Sequence, residues 1–295
     1  MKKTKARGLL WGMFLADSLA LGPHWIYDTQ VIANHFGHIE QLQGPATSYH
    51  PGKVAGSQTH LGDQALILLQ ASREGYEAEK FMLAWTAFWG NNGTVSYRDH
   101  ATKETLANID SGKPMMEAGS TSGELAGPAR GLLLVALLEG HPRSEVIESV
   151  VGQTRLTHHS KIALETAGLL ATIVYQIGQG LALDLAIKNS FAEYPQFLPM
   201  LSEAEAQLPL DAVTAIDKLG QSCALPGALA STLYLTLKYQ NDPVEGLIQN
   251  ALVGGDSAAR GLALGAMLGA IHGFEVWPQS WIEQLTAAPL LDTAI

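Results

Sequence analysis

Five polar islands stand in otherwise apolar sequence, and each carries groups that could do chemistry. Asp17 lies late in an apolar helical run, and His24-Trp25-Ile26-Tyr27-Asp28 follows just past it. Gln58-Thr59-His60-Leu61-Gly62-Asp63-Gln64 sits at a loop-to-helix junction. Tyr97-Arg98-Asp99-His100, Thr157-His158-His159 and Gly254-Gly255-Asp256-Ser257 complete the set. Three of these put a carboxylate, hydroxyl or imidazole at a helix start. Such junctions present unpaired backbone N–H groups and the positive end of the helix dipole, which suits a phosphate-bearing ligand. Carboxylates converging there could hold a hard cation such as Mg²⁺. Each island also has a plain structural reading: Asp63, Asp256 and Thr157 as helix N-caps, and the histidines as satisfied core or surface groups.

The elements that must position these groups read as helices. Ala6 to Leu21 has Leu9, Leu10, Met13 and Phe14 at helical spacing and is stopped by Gly22-Pro23. Further helices are expected from about Ala65, over Ala78–Trp89, Thr102–Ile109, Pro128–Leu138, Ser144–Val151, Ser160–Ile177, Ala182–Ser190, Gly227–Tyr239 and Ser257–His272, with Pro195 to Asp217 helical in composition. β-branched residues never alternate over a useful length, so no strand is expected. The reading is all-α: a single domain over residues 1–295, a compact bundle of about a dozen helices. Gly37 to Gln58 is a long Gly-, Pro-, Ser- and His-rich loop, and long loops in compact domains are usually functional. Tyr49, His50 and Lys53 are its candidate ligand contacts, or simply solvated. The last long helix carries Gly261, Gly265, Gly269 and Gly273 on one face, as expected of a central helix under close backbone approach.

Composition removes several function classes. The formal net charge is −10 and no basic stripe follows the first seven residues, against nucleic-acid binding. Lys2, Lys3, Lys5 and Arg7 before the apolar run Gly8 to Ala16 mimic an export signal, but Asp17 breaks that run. No stretch reaches the roughly 18 uninterrupted apolar residues of a membrane helix. The single cysteine, Cys223, cannot form an internal disulfide, which fits a cytoplasmic protein, and reads as a packing residue. Walker, dinucleotide, G-x-S-x-G and H-E-x-x-H patterns are all missing. Oligomeric state is not legible.

Taken in order, the islands resemble the ADP-ribosylglycohydrolase superfamily. Gly8 to Ala20, with Gly12 and Asp17, is similar to its opening G-x-x-x-G-x-x-x-G-D-A-x-G helix. Leu156-Thr157-His158 resembles its internal T-H motif, and Gly254-Gly255-Asp256-Ser257 its G-G-D-T-D-T motif. The His24–Asp28 and Gly56–Gln64 stretches look most like the J1-crystallin branch. The resemblance implies an all-α fold and a cleft in which two Mg²⁺ ions serve hydrolysis of a glycosidic bond between ADP-ribose and an acceptor. It also implies a small-molecule or ADP-ribosylated substrate and no membrane partner. This chain departs from the metal motifs. Leu61-Gly62-Asp63-Gln64 aligns with T-D-D-T and Asp256-Ser257-Ala258-Ala259 with D-T-D-T, so each keeps one carboxylate. His24 takes the place of an acidic residue. At most one ion, on Asp63 and Asp256, is then expected. Two roles stay open. One is a hydrolase using His24, Asp63 and Asp256, with Asp17, Tyr27, Asp28, Thr59, His60, Gln64, Thr157, His158, Gly254, Gly255 and Ser257 around the ligand. The other is a catalytically silent, crystallin-like protein.

Overall fold

A computed structural model describes residues 1–90 and 96–294. The helices are α1 (Lys3–Leu21), α2 (Thr29–Phe36), α3 (His60–Ala71), α4 (Ala78–Trp89), α5 (His100–Asp110), α6 (Ala126–Gly131), α7 (Leu133–Leu137), α8 (Arg143–Arg155) and α9 (Lys161–Gly178). They continue with α10 (Leu183–Glu193), α11 (Leu198–Ala206), α12 (Ala212–Leu219), α13 (Gly227–Lys238), α14 (Pro243–Leu252), α15 (Ser257–His272), α16 (Gln279–Gln284) and α17 (Ala288–Leu291). Among the described residues there is no strand, only the isolated bridges Ser120–His158 and Glu124–Ala224.

The core is organised on the antiparallel pair α1 and α15, both buried nearly end to end. Small residues make this possible. A Cβ added to Gly12 would strike the Gly265 carbonyl, and one on Gly269 would strike that of Gly8. The two backbones therefore touch, and the stripe of Gly261, Gly265 and Gly269 meets Ala16, Gly12 and Gly8 in turn. Burying every face explains why neither helix is amphipathic. Helices α3, α6, α9, α13 and α14 pack around the pair.

Two expectations change. Pro128–Leu138 is not one helix: the chain tightens at Leu132, where Leu132 N donates to Ala129 O (3.2 Å) and Val135 N to Leu132 O (3.0 Å), separating α6 from α7. Helices α2, α14, α16 and α17 were not expected, yet α2 and α14 each carry a start signal. Asp28 accepts from Gln30 N and Val31 N, and Asp242 accepts from Glu245 N ahead of Pro243.

Candidate functional site

A cavity of about 190 Å³ opens where the turn after α1, the start of α3, the segment before α5 and the start of α15 converge. Asp256 sits at the N-cap of α15, but its side chain makes no cap hydrogen bond and lines the cavity instead. The loop before it is built for close contact. Gly254 and Gly255 lie at φ +69° and +67°, and a Cβ on either would strike the carbonyl of Ile26 or Gln221. Buried Arg260 fixes this loop, donating to Gly254 O (2.7 Å) and Gln221 O (3.2 Å). Gly255 N donates to Ile26 O (2.8 Å) and Trp25 N to Gly255 O (3.0 Å), so the His24–Asp28 stretch is laced to the loop. The N–H groups of Gly255 and Asp256 are thus spent inside the protein rather than left for a phosphate.

Trp25 is held at φ +66°, an unfavourable conformation for a bulky residue. The indole it aims donates to Asp256 Oδ2 (3.3 Å) and packs against Tyr49, Tyr97, His50 and His60 with ring centroids 4.7–5.6 Å apart. Opposite, Glu124 and Cys223 are brought together by a short backbone pairing. Leu125 N donates to Cys223 O (3.0 Å) and Leu225 N to Gly123 O (2.9 Å). Cys223 therefore lines the cavity rather than merely packing.

The carboxyl groups of this cavity are not equivalent. Burial, then the nearby Asp99 and Asp256 carboxylates, pushes Glu124 upward toward its protonated form. Burial opposes the charge on Asp99, but the imidazoles of His60 and His158 and the short bond from Thr102 N (2.6 Å) outweigh it and hold Asp99 below its ordinary value. Burial, then the carboxylates of Asp256 and Glu124, raises the Cys223 thiol, which stays protonated and is no nucleophile. Burial lowers the imidazole of His60 to about 4, so it is neutral at pH 7.

Most of the expected site residues fall into three groups, with Asp28, Ser257 and Asp63 apart from them. Asp256, His60 and Tyr27 line the cavity, and fully buried His24 lies just behind, its Nε2 3.9 Å from Asp256 Oδ1. Asp17 and Thr59 form a closed unit: Thr59 donates from N (2.8 Å) and Oγ1 (2.6 Å) to the Asp17 carboxylate, while Thr59 caps α3. Gln64, Thr157 and His158 belong to a buried network around Arg130, which donates to Gln64 Oε1, Gln153 Oε1 (3.0 Å) and Thr157 Oγ1 (2.7 Å). Thr157 Oγ1 in turn meets His158 Nδ1 at 2.9 Å. Asp28 is occupied in capping α2. Ser257 is buried, its Oγ without a partner among the described residues. Neither Asp63, inside α3, nor Thr157, three residues before the α9 cap Ser160, is a helix cap.

Asp63 faces away from the other carboxylates' task. Both its oxygens accept from Lys53 Nζ (2.6 and 2.7 Å), and Ser96 Oγ donates to Oδ2 (2.6 Å). A lysine ammonium thus holds the charge position that a cation would take. A Cβ on Gly62 would collide with the Asp17 carboxylate, so the motif's lost acidic residue has no room. With Asp63 paired, Asp17 bonded to Thr59 and one Asp256 oxygen bonded to Trp25, these residues cannot supply the roughly six oxygens of a Mg²⁺ site, still less of two. The dinuclear Mg²⁺ arrangement implied by the resemblance does not fit this donor set.

Sequence patterning gives no hint of Glu124 and assigns Trp25, Tyr97 and Asp99 no role as ligands or catalysts, while His50 is a candidate ligand contact. Asp99 and Tyr97 lay in a noted island and His50 in the flagged loop. Glu124 stands alone in Ser122-Gly123-Glu124-Leu125, with no local pattern to single it out. Four larger grooves, about 280 to 570 Å³, lie elsewhere. The largest of these also holds Tyr76, His141, Glu145 and Glu148, but His141 and Glu145 are exposed and paired with each other, whereas His60, Asp99 and Asp256 of this cavity are buried.

An all-α body with a polar cavity at the start of a glycine-striped helix defines the class, and the chain belongs to the ADP-ribosylglycohydrolase family, whose profile matches residues 1–294. It is similar to crystallin J1B of Tripedalia cystophora, 23% identical over 303 residues, covering 96% of this chain and 92% of the relative. It also superposes on a solved ADP-ribosylglycohydrolase-related protein complex with TM-score 0.73 at 20% identity, over 99% of this chain and 96% of that one. No helix among the described residues is long and apolar enough to cross a membrane.

Proposed function

We propose that this chain hydrolyses an N- or O-glycosidic bond of an ADP-ribose-type ligand with its own carboxyl groups, without a full dinuclear Mg²⁺ site. The observation that carries the reading is the divergence of two carboxyls at one cavity: Glu124 pushed up, Asp99 held down. Titratable pairs pushed apart by their surroundings are how acid and base roles are divided. Glu124 acts as general acid, giving its proton to the nitrogen or oxygen that leaves as its bond to the ribosyl C1 breaks. Water forms the new C–O bond at C1, and its proton passes to Asp256 or Asp99. His24 serves by backing Asp256, and Asp63 by anchoring Lys53. At about 190 Å³ the cavity is smaller than the about 300–1,000 Å³ of pockets that swallow a drug-sized ligand. It therefore takes one sugar ring, with the rest of the ligand lying outward along Tyr27 and Tyr49, which are 52% and 47% exposed. A cytoplasmic setting fits the single thiol.

The test is release of ADP-ribose from arginine-, serine- and O-acetyl-linked conjugates, followed chromatographically. Turnover of at least one linkage is expected, with kcat falling about 10²–10⁴-fold in Glu124→Gln and KM little changed. No turnover of any linkage would overturn the reading. The pairing of Lys53 with Asp63 favours a second reading, a non-catalytic crystallin-like binding protein. That reading predicts a rise in Tm with ADP-ribose but no product.

A further inference from the structure

Behind the Trp25 indole, three imidazoles meet that the proposed hydrolysis does not use as acid or base. His24 comes from the turn after α1, His50 from the long loop and His60 from the first turn of α3. All three are buried, and each offers a ring nitrogen within 4.8 Å of the others. His50 Nε2 lies 3.3 Å from His60 Nδ1. That matches the separation of about 3.3 Å between two nitrogens on a tetrahedral ion with Zn–N bonds of about 2.0–2.1 Å.

The hydrogen bonding of the cluster is incomplete. Among the described residues, neither ring nitrogen of His24 has a partner, nor do His50 Nδ1 and Asp256 Oδ1. Buried polar atoms left unpaired are costly and rare. Here they converge: His24 Nε2 and Asp256 Oδ1 are 3.9 Å apart. The outer partner of a metal-bound histidine is also present, since His60 Nε2 faces Asp99 Oδ2 at 3.7 Å. Lys53 and Arg260 are the adverse charges nearby; Lys53 is paired with Asp63, and Asp99 and Asp256 face the cluster as favourable charges.

We infer that His24, His50 and His60, with Asp256 as the fourth donor, form a binding site for one imidazole-preferring divalent cation of the Zn²⁺ or Co²⁺ class. Imidazole selects such ions over Mg²⁺, which demands oxygen. The site is therefore distinct in chemistry from the oxygen-ligand arrangement that this chain lacks. Its ligands come from three separate segments, so binding clamps the Gly37–Gln58 loop against α1 and α3. The inference stands apart from the hydrolase reading, because binding is measured without turnover.

The experiment uses the full chain, without a histidine tag and stripped by chelator, titrated with Co²⁺ and Zn²⁺. One equivalent of Co²⁺ should give the strong visible absorption of a tetrahedral ion. Zn²⁺ should bleach that absorption and raise Tm, while millimolar Mg²⁺ does neither. His50→Gln, a substitution in the loop outside any helix, should bind Co²⁺ about 100-fold more weakly with unchanged far-UV circular dichroism. His24→Gln should do the same. A wild-type protein that takes up no Co²⁺, or whose absorption is that of an octahedral ion, overturns the site. So does undiminished binding by folded His50→Gln.

Discussion

Lys53 reaches Asp63 from the long Gly37–Gln58 loop, where sequence marks it only as a candidate ligand contact, and its ammonium takes over the charge balance of a site whose relatives are usually metal-dependent. Replacing it with Met leaves a mostly buried carboxylate with Ser96 as its one remaining side-chain partner among the described residues. Stability should fall by about 2 kcal/mol, and Asp63→Asn in the same chain should restore most of it; urea melts of the two variants test this. Buried titratable groups make stability depend on pH in opposite directions. Burial, then Arg130, lowers His158 from its ordinary 6.5 to about 3. Between those values only the unfolded chain carries the proton, so this group's contribution is present above about pH 6.5 and lost as pH falls toward 3. Asp17 runs the other way. Burial raises it from 3.8 to about 7, so its protonated form favours the fold below about pH 4, and that contribution is lost as pH rises through 7. In denaturant midpoints measured from pH 4.5 to 7.5, His158→Gln should flatten the acid limb and Asp17→Asn the neutral one. At this scale the sequence marks out most of the wall: Tyr27, His60, Tyr97, Asp99 and Asp256 all lie in its polar islands, as does His24 behind it. It conceals Glu124, because that residue is aimed by a backbone bridge to Ala224, a contact between distant segments with no local pattern.

Helices α1 and α15 were legible because their start, stop and small-residue spacing are local properties. Their mutual contact is a strict packing demand, backbone against backbone. Gly12→Ala or Gly265→Ala must push backbone against backbone and should cost about 3 kcal/mol, the upper end for overpacking a core. Gly152 in α8 is the contrast: nothing lies within 4 Å of a Cβ added there. Gly152→Ala should stabilise by about 0.5–1 kcal/mol through helix propensity alone. Thermal melts of the three variants read both signs. The helices that sequence does not reveal are short: α2 and α14 lean on caps, Asp28 and Asp242, rather than on a long apolar period, and α16 and α17 span only six and four residues. The split between α6 and α7 was invisible for another reason: one apolar run serves both, and tertiary packing chooses where it tightens.

Across the whole molecule, the pairing of α1 with α15 joins segments more than 200 residues apart, and α3, α6, α9, α13 and α14 rest on that pair. One cooperative unfolding transition is therefore expected in calorimetry, with calorimetric and van't Hoff enthalpies equal; two resolved transitions would mean that the single-domain reading is wrong. Fold class was open to sequence reading at this scale because helical periodicity and ordered motifs persist over the full length. The chemistry was not, because it depends on which side chain meets Asp63 or Asp256 in space. The α1–α15 contact also has a consequence for synthesis. Helix α1 leaves the ribosome well before its partner, and at about 5–20 residues per second the wait is on the order of 12–50 s. Through that interval an apolar segment with no solvent-facing side lacks its main partner. The nascent chain should thus be a strong client for chaperones that shield hydrophobic segments, and slowing translation should lower its soluble yield.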